Sequence, residues 1–256
     1  MKTNILLNKL ARRFPKKIAK DNHDFVGLMV GHKPEEVHKI VLCLDLDWEI
    51  FPSIKEVKPD IVITHHPFLF GTKAKVLKND ENKKELYEVL EKLNITVYSY
   101  HTNFDTGKGG MNDALADSLG LKNVYSPIKD NMMRIGELEN AMEIHDFSKY
   151  ANKCLKVDYS LLINCGTTNI KKVGIIGGGG SRNYKIAQEE NCDIYISGDA
   201  PHHVRREIVN SKFNYLDMPH EIEHIFMPQM KKILLEIDPN LEIITFDHEK
   251  LPEVID

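Results

Sequence analysis

The sequence predicts an α/β protein built as two α/β domains, and three observations carry the prediction. Short, continuously apolar runs alternate with amphipathic stretches, the pattern of strands covered by helices on both faces. The rhythm breaks once, between Tyr125 and Arg134, and then resumes. Histidines gather immediately past the apolar runs, where open α/β sheets bind ligands at the carboxyl ends of their strands.

The opening segment, MKTNILLNKLARRFPKK, spaces Leu6, Leu7, Leu10 and Phe14 along one helical face. Its basic, acid-poor character fits a mitochondrial transit peptide or a first helix of the fold, and the first helix is the simpler expectation. HKIVLCLDLD (38–47) and PDIVITHHP (59–67) then read as buried strands, ENKKELYEVLEKLN as a helix, ITVYSYHTNFD as a strand and GGMNDALADSLGL as a helix closed by Gly120. The aperiodic stretch YSPIKDNMMR marks a boundary, giving domains of 1–125 and 126–256. Past it, KKVGIIGGGG opens a second strand and helix alternation that ends in a last helix and the strand LEIITFD.

With 256 residues, 42% hydrophobic and 28% charged, the chain is long enough for a proper core and has the composition of an ordinary globular protein. The net charge of -4 and scattered lysine pairs give no basic stripe for nucleic acid. Cys43, Cys154, Cys165 and Cys192 show no C-x-x-C spacing, as expected of reduced thiols in a cytoplasm. No apolar run approaches the length of a membrane span.

Chemistry-bearing residues collect at His65-His66, His101, His202-His203 and His220 with His224. The first three groups follow expected strands, so they converge on one region. Asp105 lies four residues past His101, and a carboxylate beside imidazoles is able to bridge two cations about 3.5–4 Å apart. His65 and His66, leaving a strand end, are placed to serve two metals; the plainer account is a His-His-Pro turn capping the strand. For His202-His203 the plainer account, a helix start beside Arg205-Arg206, is preferred. Asp45 reads as a strand terminus in preference to a carboxylate supporting the histidines, and Trp48 and Met227 to Met230 read as packing residues. The run Gly177 to Gly180 lacks the ending of a phosphate-binding P-loop and reads as a tight turn with Ser181 as helix cap.

His220-Glu221-Ile222-Glu223-His224 matches H-E-x-x-H, in which histidines one helical turn apart grip a zinc and the glutamate acts as base. Three fixed letters are a weak signal in a chain rich in His and Glu. The wider pattern points elsewhere: VGLMVGH, CLDLD, PDIVITHHPFLF, SYHTNFD, GGGGS, YISGDAPHH and the His220 region together resemble, across essentially the whole chain, the Nif-three-like dinuclear metal proteins, often labelled GTP cyclohydrolase 1 type 2 homologues. The resemblance implies a pair of divalent metals in the cleft between two α/β domains, a toroidal homohexamer, and His65, His66, His101, Asp105 and His220 at metal-binding positions. His224 stands where that family carries a metal-site glutamate, and Pro219 where it carries a glycine.

The leading expectation is a cytoplasmic metal-dependent hydrolase with two divalent ions (zinc, iron or manganese), Glu221 or Glu223 as proton shuttle, and a small-molecule substrate. A purine nucleotide follows from the resemblance alone. The alternatives are a non-catalytic hexameric metal-binding adaptor and a mononuclear zinc peptidase using His220, His224 and Glu221.

Overall fold

The computed structural model describes every residue except Leu251, Glu253 and Asp256. Eleven strands are described: β1 (Gly27–Val30), β2 (Lys39–Cys43), β3 (Ile61–Thr64), β4 (Val97–Ser99), β5 (Lys122–Tyr125), β6 (Arg134–Glu143), β7 (Leu161–Ile163), β8 (Asn169–Ile175), β9 (Ile194–Gly198), β10 (Tyr215–Met218) and β11 (Glu242–Thr245). They form two sheets, interleaved with helices, as the α/β prediction requires. The chain divides into two compact units, one of Met1–Gly110 with Phe226–Glu249, the other of Met111–Ile225 with Lys250–Asp256.

The first unit's sheet has the order β1-β4-β3-β2-β11. The strands β4, β3, β2 and β11 run parallel, and β1 closes one edge antiparallel to β4. The runs IVLC and IVIT are buried at every position, which is why they carry no polar alternation. The helix Thr3–Arg13 turns Leu6, Leu7 and Leu10 inward, and Phe14 beyond it is fully buried. Asp80 caps the helix Glu81–Lys92 by accepting from Lys83 N at 2.8 Å. The helix Phe226–Ile237 buries Met227, Met230, Ile233 and Leu234 and leads into β11 beside β2. Trp48 is 38% exposed and stands edge-on to Phe51.

The second unit's sheet has the order β5-β6-β8-β9-β10-β7, with β8, β9 and β10 parallel at its centre and antiparallel pairings outside them. The stretch Tyr125 to Arg134 lies within this unit and is ordered around one cation. The Arg134 guanidinium pairs with Asp113 and donates to Ser126 Oγ (2.9 Å) and to the carbonyls of Asn131 (2.9 Å) and Met132 (3.1 Å). A segment wound about a buried side chain shows no sequence period. The sequence-based division at 125/126 therefore differs from the two compact units, whose edges fall at Gly110, Ile225 and Glu249.

Candidate metal centre

In the first unit, β2, β3 and β4 end side by side, with Cys43 opposite Thr64 and Thr64 opposite Ser99. The next residues along the chain deliver Asp45, His65-His66 and His101 to one edge of the sheet. The turn is fixed locally: Thr64 Oγ1 donates to His66 O at 2.8 Å, and the amides of His65 and His66 both donate to Leu44 O at 3.1 Å. Asn103 locks the other loop by accepting from His101 N (3.1 Å) and donating to Phe14 O (2.9 Å). Asp105 N donates to His101 O at 3.1 Å, a helical bond that sets Asp105 over His101.

One ring nitrogen from each of His65, His66 and His101 lies within 4.8 Å of the others. Their Nδ1 atoms face oxygens: Tyr100 O at 3.0 Å from His65, Asp45 Oδ2 at 2.6 Å from His66, and Asp24 Oδ2 at 2.8 Å from His101. A carbonyl only accepts, so His65 carries its proton on Nδ1 and its lone pair on Nε2. That lone pair faces Asp105 Oδ1 at 3.6 Å, in a place where His65 is fully buried and Asp105 is 6% exposed. Two buried electron donors so arranged suit a shared cation. Burial alone would raise the Asp24 and Asp45 carboxyls, but the hydrogen bonds and charge of His101 and His66 bring both below the usual carboxylate range.

The second unit repeats the plan. At the ends of the parallel strands β8, β9 and β10 stand Gly178, Asp199 and His220. His220 Nδ1 meets Asp199 Oδ2 at 2.5 Å, and its Nε2 lies 3.0 Å from Glu223 Oε2. The hydrogen bond to Glu223, with Asp199 adding to it, outweighs burial and pushes the His220 pKa up to about 9. Gly178 has φ +62°, and a Cβ there would overlap the Glu223 carboxylate and crowd the His220 ring. The glycine run thus makes room for a carboxylate. Ser181 does not cap a helix; it lies buried inside the short turn Ser181–Asn183.

The segment His220–Ile225 is a 3-10 helix, not the α-helix that H-E-x-x-H requires. With three residues per turn, positions i and i+3 eclipse, so Glu223 joins His220 while His224 sits about 120° around the axis. Glu223 is 4% exposed, whereas His224 is half-buried. Glu223, one residue before His224, is therefore the carboxylate that stands beside His220. Glu221 lines a cavity instead, and His202 and His203 are exposed at the start of the helix His202–Asn210.

Sequence reasoning took Asp45 for a strand terminus and passed over Asp24 and Asp199. Asp24 is 77 residues from His101 and its partnership has no local signal. Asp199 lay in plain view in SGDAPHH.

The fold and these clusters define an α/β protein with imidazoles held by carboxylate or carbonyl oxygens, a donor set that fits a divalent cation. The family Duf34/NIF3 (NGG1p interacting factor 3) matches residues 1–252, and the chain belongs to it. A GTP cyclohydrolase 1 type 2 homolog of Clostridium perfringens is 29% identical over 262 residues, covering 98% of each chain. Among solved structures, a Bacillus cereus protein related to NIF3 shares the fold with a TM-score of 0.86 and 19% identity, over 100% of this chain and 99% of that one. Reduced HcgD from Methanocaldococcus jannaschii matches with a TM-score of 0.80 and 26% identity, over 96% and 97% of the two chains. No described helix is long and apolar enough to cross a membrane.

Proposed function

We propose that this chain binds two divalent cations and uses them for hydrolysis of a small molecule. One observation carries the reading. Four imidazoles, those of His65, His66, His101 and His220, each direct Nδ1 at a carboxylate or carbonyl oxygen, which supports Nε2 as the atom that would meet a cation.

His65, His66 and His101 hold one set of donors with Asp105; His220 and Glu223 hold another. Divalent cations there would lower the pKa of a water and polarise the bond it attacks. Asp24, Asp45 and Asp199 keep the imidazoles oriented and offset positive charge. Glu223, on its glycine-lined seat, is the carboxylate best placed to serve as ligand. The peptidase reading fails on helix type, since it needs His220 and His224 on one face.

A purine nucleotide as substrate is supported by the name GTP cyclohydrolase 1 type 2 homolog carried by relatives. A homohexamer in the cytoplasm completes the reading, to be checked by light scattering and fractionation. The central test is elemental analysis of metal-loaded protein followed by a nucleotide hydrolysis panel with chelated controls. Two ions per chain and chelator-sensitive turnover are expected; one ion or fewer overturns the dinuclear centre, and metal without turnover overturns the hydrolase.

A further inference from the structure

A cavity of about 250 Å³ opens in the second unit against His220, with Tyr159, Asp199, Arg205, Asp217 and Glu221 in its lining. Its charge is lopsided. Arg205 donates from Nε (3.1 Å) and Nη2 (2.7 Å) to Asp217 Oδ2, so its guanidinium is already matched by a carboxylate that is 6% exposed. Asp199 is shared with His220, and Glu221 tips the remaining balance to negative. A phosphate entering would meet the Asp199 carboxylate, already paired with His220, and that of Glu221, whereas N–H donors would meet acceptors.

Asp199 has a left-handed φ of +55°, a conformation that Asp adopts more readily than most residues. The conformation lets one carboxylate serve both His220, through Oδ2 at 2.5 Å, and the cavity. A carboxylate has about four lone-pair sites, and His220 occupies one. Tyr159 adds an aromatic wall to a volume that accommodates a bicyclic ring.

We infer that this cavity binds an amino-substituted planar nitrogen heterocycle, which donates N–H bonds to Asp199 and Glu221 and keeps any phosphates outside. The inference deepens the proposed function, resting on it for the role of His220 as a ligand, and it places the ring of the substrate, not its phosphates, beside that histidine. Nucleosides and pterins share this chemistry.

The test uses metal-free and metal-loaded full-length protein, titrated calorimetrically with guanosine, adenosine, pterin, inosine and inorganic tripolyphosphate. The amino heterocycles should bind the metal-free protein at least about tenfold more tightly than inosine, because inosine keeps its ring N1–H but lacks the exocyclic amino group, and a site built for that donor discriminates strongly against a ligand without it. The tightest of the three names the source. Glu221→Gln should cut their affinity about tenfold, and Tyr159→Ala should weaken every heterocycle, with circular dichroism confirming that both variants fold. Inosine binding as well as guanosine, tripolyphosphate displacing the heterocycles from metal-free protein, or no heterocycle binding either form would each overturn the inference. Failure to take up metal would sink the proposed centre while leaving the metal-free titration to decide this one.

Discussion

Asp24 shows how a single residue conditions the site. Its carboxylate accepts from His101 Nδ1 at 2.8 Å, from Thr102 Oγ1 at 2.7 Å and from Thr102 N at 3.3 Å. Asparagine would keep the shape but present a neutral oxygen, weakening the hold on the imidazole and lowering its basicity. Partners of this kind are worth about 10–100-fold in metal affinity, so Asp24→Asn should weaken the tightest divalent-ion binding by that factor in a calorimetric titration with no change in secondary structure. His220 makes a pH prediction for the metal-free protein. Its pKa is raised from the ordinary 6.5 to about 9. The protonated histidine therefore contributes stability that is complete below pH 6.5 and disappears as pH rises through about 9. Melting temperatures of chelated protein should fall across that window, and a His220→Gln variant should lose that part of the slope.

At the scale of the element, the strands were legible because burial on both faces leaves IVLC and IVIT with no polar positions. Their carboxyl ends were legible for the same reason, and they located His65, His66 and His101. The segment His220–Ile225 was not legible, because five letters fit a 3-10 turn as well as an α-helix. Tertiary burial of Ile222 and Phe226, both fully buried, accompanies the tighter winding that turns Glu223 inward. Three substitutions separate the readings. Glu223→Gln should reduce bound metal, and His224→Ala should leave metal content unchanged. Gly178→Ala should mimic Glu223→Gln, because a methyl group there meets the carboxylate and the φ of +62° adds about 1 kcal/mol of strain or more. If metal content follows His224 and ignores Glu223, the assignment of the carboxylate is wrong.

For the whole molecule, the chain's return to its first unit was the hidden feature. Periodicity marks where elements lie along the sequence but carries no record of which sheet a late strand joins. The strand β11 pairs in parallel with β2, from Glu242 opposite Lys39 to Thr245 opposite Leu42, and the helix before it buries Met230, Ile233 and Leu234 at 1% exposure or less. Each fully buried side chain of this kind is worth about 1.5–3 kcal/mol, while whole domains are stable by only about 5–15 kcal/mol. Removing the segment would also leave β2 as a bare apolar edge, which invites aggregation. A fragment of residues 1–125, the sequence-based domain, should therefore fail to fold cooperatively. A fragment joining residues 1–110 through a flexible linker to residues 226–249, the contact-based unit, should recover a cooperative thermal transition and native-like circular dichroism. Cooperative unfolding of the 1–125 fragment alone, at the parent's melting temperature, would show that the returning segment is dispensable to the first sheet.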